Sequence, residues 1–272
     1  MSQRALPAAL LALLLPACEP GRAPASGPDI SAEGSPAAAA QPTDPRAPRI
    51  AAETPATART VLAELFTSEG CSSCPPADDV LAALDRDLGP HGLITLSFHV
   101  DYWNELGWPD PYSSPLYTAR QRAYATAFGE RGVYTPQLVI AGREGFVGSN
   151  AAQARDSIRA LLAAPSPAPS IHLEAERESP TTLRVRWSTT LPPGSRLYLA
   201  AVEPSTTTRV PRGENAGRTL HHVHIVRALD SAPEREGNRL LTVSTPTALQ
   251  AVAWIQSPDL TIPAATKATP LN

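Results

Sequence analysis

The chain is poor in cysteine, with 3 among 272 residues, at positions 18, 71 and 74. Neither a second Cys pair nor an HxxxH spacing is present to complete a zinc-type site. Basic clusters are missing as well: the net charge is -3 and no run of Lys and Arg is available to track phosphates, so no nucleic-acid partner is expected. The apolar run 5–15 is too short to cross a bilayer, and no internal repeat is visible. What is present is a 42% apolar composition suited to a globular core in one or two domains. The 30 prolines, about twice the usual frequency, imply extended spacer, because proline is costly inside helices and central strands.

The N-terminus reads as an address. Arg4 precedes the apolar run, and Leu15, Pro16, Ala17 and Cys18 follow in a pattern that resembles a bacterial lipoprotein signal, departing from it at Pro16. On this reading Cys18 is lipidated after cleavage, the protein is exported to the periplasm on a membrane anchor, and the mature chain keeps only Cys71 and Cys74. The alternative is an ordinary secretory signal cut near Ala17. Residues 19–59, rich in Ala, Pro, Gly and Ser, bury too little to order themselves and are expected to form a tether. As a flexible coil it would reach on the order of 35 Å.

Order is expected from Thr60. TVLAELFT reads as a buried strand leading into SEGCSSC, after which Val80, Leu81, Leu84 and Leu88 recur at helical spacing until Gly89 and Pro90. A strand over 93–100, a helix over 114–129, a hairpin from QLVIAG and GFVG, and a helix over 149–164 complete a βαβαββα order. PSPAPS then marks a linker, 165–170. Six segments from IHLEAE to LQAVAWIQ are expected to form a separate antiparallel β domain over 171–262, followed by a tail over 263–272. This domain is expected to present partners or to brace the first.

ELFTSEGCSSCPPAD, SFHVDYWNELGWPDPYSS, TARQRAYA and VYTPQ resemble the signatures of domain-of-unknown-function family 1223, uncharacterised secreted bacterial proteins. The resemblance runs from Val61 into the C-terminal region. It implies a thioredoxin-like domain over 60–164 but no activity. The expected fold is therefore an α/β thioredoxin-like domain followed by a smaller antiparallel, sandwich-like β domain.

Chemistry is argued from the residues. The thiolate is the form of cysteine that attacks a disulfide, and a CxxC turn at a helix N-terminus favours it through unpaired N–H groups and the helix dipole. Cys71, N-terminal in the pair and expected nearer to solvent, is the candidate nucleophile, and Cys74 the resolving thiol. Pro75 and Pro76 have no N–H to offer the sulfur, while Asp78 and Asp79 bring charge that opposes the thiolate. Glu64 is either a buried acid exchanging protons with Cys74 or a solvent-facing strand residue. Thr135 and Pro136 match the residue and cis proline that face the CxxC turn in a thioredoxin fold; the alternative is a trans proline opening a strand.

His99, Asp101, Tyr102 and Trp103 follow the second strand at the end where the cysteine turn emerges, and are candidates for a substrate cleft or for cover over the sheet edge. His222 and His224 share a strand face at a spacing compatible with a metal, though exposed strand histidines are the commoner case. RGENAGRT, 212–219, is read as an anion-binding loop or as ordinary turn chemistry. The functional expectation is an exported thiol–disulfide oxidoreductase acting on protein thiols or disulfides, with no cofactor and no resident metal. The alternatives are copper or zinc held by the two cysteines with His99, a purely structural disulfide, and a non-catalytic interaction module.

Overall fold

A computed structural model describes residues 59–165 and 168–270. The signal segment with Cys18, the tether apart from Arg59, and residues 166, 167, 271 and 272 lie outside the described residues. Among those described, no helix is long and apolar enough to cross a membrane.

Two fully buried strands, β1 (Val61–Thr67) and β2 (Leu93–His99), pair in parallel. Both are covered on both sides, and the polar residues they carry, Glu64, Thr67, Thr95, Ser97 and His99, are buried with the apolar ones. Val61, Ala63 and Leu65 face α1 (Pro75–Leu88), whose Ala77, Leu81, Leu84 and Leu88 meet them at helical spacing. Pro75 and Pro76 open this helix, where a missing N–H leaves no hydrogen bond unmade. Leu62 and Phe66 point the other way, toward Tyr117 and Tyr124 of α2 (Pro115–Ala127). β3 (Gln137–Ile140) pairs antiparallel with β1, β4 (Glu144–Val147) pairs with β3, and α3 (Ala151–Ala163) packs through Ala154 and Ile158 on the α1 side.

The second half is β5 (Ile171–Ser179), β6 (Thr182–Thr189), β7 (Arg196–Arg209), β8 (Thr219–Ala232), β9 (Glu236–Thr242), β10 (Gln250–Gln256), β11 (Ala264–Lys267) and β12 (Thr269–Pro270). Here the expected organisation is corrected. Four of these strands extend the first sheet, which runs β11-β10-β7-β8-β2-β1-β3-β4, and β8 lies parallel to β2 at Ser97 and Ile225. Within the expected separate domain over 171–262, β7, β8 and β10 thus continue the sheet, and part of the expected tail, Ala264–Lys267, is its edge strand.

The physical reason lies in burial on two faces. Ala200, Val202, Val252 and Trp254 join the core under α2. Their neighbours Leu197, Leu199, Ala201, Ala251, Ala253 and Ile255 face a second, four-stranded sheet, β12-β5-β6-β9. That smaller sheet pairs antiparallel across β5, β6 and β9 and packs on the large one through Leu173, Leu183, Val185, Trp187 and Leu241, so a sandwich-like layer exists without independence. The fold is mixed α/β, a large sheet plus a smaller antiparallel one.

Candidate functional site

The turn between β1 and α1 carries the cysteine pair. Cys71 N–H donates to Ser68 O, Cys74 N–H to Cys71 O, and the N–H groups of Ala77 and Asp78 to Cys74 O, which seats Cys74 as the N-cap of α1. Cys71 and Cys74 are joined in a disulfide. Gly70 leaves room for the neighbouring loop, since a Cβ there would stand 3.1 Å from Trp103 Cβ.

Thr135 Oγ1 donates to Cys71 Sγ at 3.3 Å, Trp103 Nε1 donates to Thr135 Oγ1 at 2.8 Å, and Ser73 Oγ lies 3.3 Å from Cys71 Sγ. The Thr135–Pro136 bond is cis, and Pro136 O accepts from Gly148 N–H. The expectation that Cys71 is nearer to solvent is corrected: both cysteines are 0% exposed, because Trp103, Thr135 and Ser73 close over the sulfur.

Of the four residues expected to line a cleft, only Trp103 is linked to the cysteines, through Thr135 Oγ1. Asp101 accepts from Thr118 Oγ1 on α2, and Tyr102 OH donates to Gln121 on the same helix, with burial pushing the phenol up to about 12. His99 is wholly buried, and its Nδ1 lies 2.7 Å from Asp110 Oδ2. Burial alone would raise the Asp110 pKa, but the His99 imidazole and the N–H groups of Glu69 and Tyr112 hold it below the ordinary range.

Glu64 is placed for a different job from the one expected. It lies on the α2 side of β1, opposite α1, where Arg120 Nε donates to it at 2.6 Å and Tyr124 OH also donates. Burial alone would lower the Arg120 pKa, yet the carboxylate beside it more than offsets that and holds the guanidinium above its ordinary value. The rings of Phe98, Tyr124, Tyr198 and Trp254 stand 5.0–5.7 Å from the guanidinium carbon. This is a closed structural ion pair, and no hydrogen bond links Glu64 to Cys74.

Several residues at the site were not singled out from sequence. Asn215 Nδ2 donates to both Glu69 O and Cys71 O at 2.9 Å, and Glu214 Oε2 accepts from Ser72 N–H at 3.0 Å. The hydroxyl and N–H of Ser72 hold the Glu214 pKa below its usual range. The 212–219 loop therefore clasps the cysteine turn with an amide and a carboxylate, which replaces the anion-binding alternative.

Beneath the turn, Trp108 Nε1 donates to Glu69 Oε2 at 2.8 Å, and Glu69 Oε1 lies 3.3 Å from His222 Nε2. On the other side of the imidazole, Asp78 Oδ2 lies 3.7 Å from Nδ1. Burial alone would lower the His222 pKa, but Asp78 and Glu69 raise it to about 10. The two acids act on the ring through close polar contact first and charge second, although neither contact is aligned as a full hydrogen bond.

His222 and His224 are buried rather than exposed, and each meets its own acid on α1, Asp78 and Asp85. Among the described residues no group of three or more His, Cys, Asp or Glu is arranged to hold a metal ion, and His99 Nδ1 is committed to Asp110. Only the loop partners' long-range placement hid this cluster; the residue types were in plain view.

A crystal structure of an Agrobacterium tumefaciens protein is similar to this chain at 24% identity and a TM-score of 0.58, covering 79% of this chain and 98% of the other, a likeness of fold. A domain of the outer membrane lipoprotein Omp28 from Porphyromonas gingivalis matches at 12% identity and a TM-score of 0.23, covering 40% of this chain and 93% of that domain; at that score it carries no argument. No curated protein matches. The model of a family described as protein of unknown function, DUF1223, matches residues 62–256, and the chain belongs to that family.

Proposed function

We propose that the protein is an exported thiol–disulfide oxidoreductase on a thioredoxin-like scaffold, with Cys71 as the exchanging sulfur, Cys74 as its resolving partner, and a lipid anchor at Cys18. The observation that carries the reading is the contact of Thr135 Oγ1 with Cys71 Sγ, which sets the segment before Pro136 against a disulfide at the mouth of α1. In the oxidising direction, a thiolate of a dithiol protein attacks Cys71 Sγ, the Sγ–Sγ bond breaks, and its electron pair leaves on Cys74. The partner's second thiolate then attacks its own sulfur in the mixed disulfide and releases Cys71. The partner is oxidised to a disulfide, the Cys71–Cys74 pair is reduced, and the two protons given up by the partner balance those the pair takes when both thiols are neutral.

Because both sulfurs are buried, the cover of Trp103 and Ser73 has to part before attack. Thr135 and Pro136 then offer the backbone edge for an extended polypeptide, and Trp103 is the aromatic wall beside it. Tyr102 stands beside that wall, its ring 6.4 Å from the Trp103 ring.

The test uses purified protein in glutathione buffers of set ratio, with a disulfide-bonded model protein as substrate. The Cys71–Cys74 pair is expected to cycle, one thiol of the reduced form to alkylate fastest, and Cys71→Ser to abolish turnover. A pair that stays oxidised in every buffer, or turnover that survives Cys71→Ser, overturns the reading.

A further inference from the structure

Four buried polar atoms make no hydrogen bond and belong to one cluster beneath the cysteine turn: Glu69 Oε1, His99 Nε2 and both ring nitrogens of His222. His222 stands at its centre, 2% exposed. Glu69 flanks it from the turn and Asp78 from α1. The His99 ring of β2 meets it edge-on at a centroid distance of 4.7 Å, and Tyr112 at 6.2 Å. The charged groups one step farther out are Asp110, on His99, and Arg227, over the Tyr112 ring.

Both flanking carboxylates border the disulfide through the backbone. Glu69 lies two residues before Cys71, and one Asn215 amide holds the carbonyls of both. The Asp78 N–H donates to Cys74 O. Two carboxylates stand against one imidazole, so among these three groups a protonated ring leaves one net negative charge beside the cysteine turn, and a neutral ring leaves two. In a buried setting that difference acts on a nearby thiolate with little screening.

We propose that His222, supplied by β8, sets the acidity of the Cys71 thiol and the reduction equilibrium of the Cys71–Cys74 pair by neutralising Glu69 and Asp78 beneath the turn. The inference rests on the oxidoreductase reading for its meaning, though not for its measurement. His222 is a positioning residue and touches no sulfur in a hydrogen bond. Its raised pKa keeps the ring charged through neutral pH. Reduction delivers two electrons from a dithiol and one proton to each sulfur that ends as a thiol. Charge that favours a Cys71 thiolate therefore favours the reduced pair.

The two partners predict opposite signs. In the reduced full-length chain, the pH dependence of iodoacetamide alkylation reads the Cys71 pKa, and equilibration with glutathione reads the exchange constant. His222→Gln is expected to raise the thiol pKa by about one unit and to shift the exchange constant about tenfold toward the disulfide, or about 30 mV. Asp78→Asn is expected to move both readings in the opposite direction, which a merely structural role would not do.

Folded variants that shift together, or do not shift, overturn the proposal. If His222→Gln does not fold, Asp78→Asn decides alone: a lowered thiol pKa supports it and an unchanged one overturns it. Opposite shifts in a protein that turns over no disulfide would uphold the electrostatic role and sink the oxidoreductase reading. Turnover without such shifts would do the reverse.

Discussion

Glu64→Gln separates a stabilising role for this carboxylate from a catalytic one. The substitution keeps volume and removes charge, leaving the Arg120 guanidinium buried without its counter-ion. Arg120 would retain Gln256 Oε1 at 2.9 Å through Nη1, Tyr124 OH at 2.9 Å through Nη2, and four aromatic rings, none of which carries a full negative charge. Removing one partner of a buried ion pair costs about 3–5 kcal/mol. For a folded region of this size, with about 2–4 °C of melting temperature per kcal/mol, the expected fall in Tm is roughly 6–20 °C. Urea denaturation followed by circular dichroism measures the loss, and the double variant Glu64→Leu with Arg120→Met, which removes both charges, is expected to recover much of it. Alkylation of the reduced protein gives the control: the thiol pKa of Cys71 should not move. The reasoning fails if stability holds within about 0.5 kcal/mol, the range of an ordinary surface change, while thiol acidity shifts.

His222 makes stability pH-dependent in a stated direction. Its pKa is raised from 6.5 to about 10 on folding, so the ion-pair contribution is complete below about pH 6.5 and is lost as pH rises through 10. The expected loss across that window is on the order of a few kcal/mol; urea midpoints measure it, and His222→Gln should flatten the slope. Asn215→Ala strips two hydrogen bonds from the carbonyls of Glu69 and Cys71 and is expected to cost about 1–3 kcal/mol, with faster amide exchange at the cysteine turn. Trp103→Phe removes the indole donor that holds Thr135 over Cys71, and should speed reduction of the disulfide by dithiothreitol at unchanged secondary structure.

The first half of the chain was legible because its signals are local. The apolar run before the cysteines, the helical spacing from Val80 to Leu88 and the Gly89–Pro90 stop give β1 and α1 nearly where they occur. The segment 133–137 resembles the residue and proline that face a cysteine turn, and Thr135 Oγ1 lies 3.3 Å from Cys71 Sγ. The second half is less legible because alternation and two-sided burial leave overlapping patterns: RLYLAAVE and LQAVAWIQ alternate in part yet hold adjacent apolar residues, which suits strands covered on both faces.

Side-chain partners across long separations leave no trace in spacing. Asn215 reaches Cys71 across 144 positions, and His222 meets Glu69 through β8 lying beside β2. Glu64 illustrates the same limit from the other side. Its burial is one of two readings the strand offers, but its partner Arg120 lies 56 positions away and no local pattern ties the two together.

The junction of β8 with β2 has a consequence for severed chains. A polypeptide nicked between residues 165 and 170 would still have its two pieces laced together by the shared sheet, the Tyr117 hydroxyl on the Val226 carbonyl, and the contact of His222 with Glu69. The fragments should copurify as a complementing pair, and expression of the leading piece alone should yield an insoluble product whose bare β2 edge templates association with its own kind.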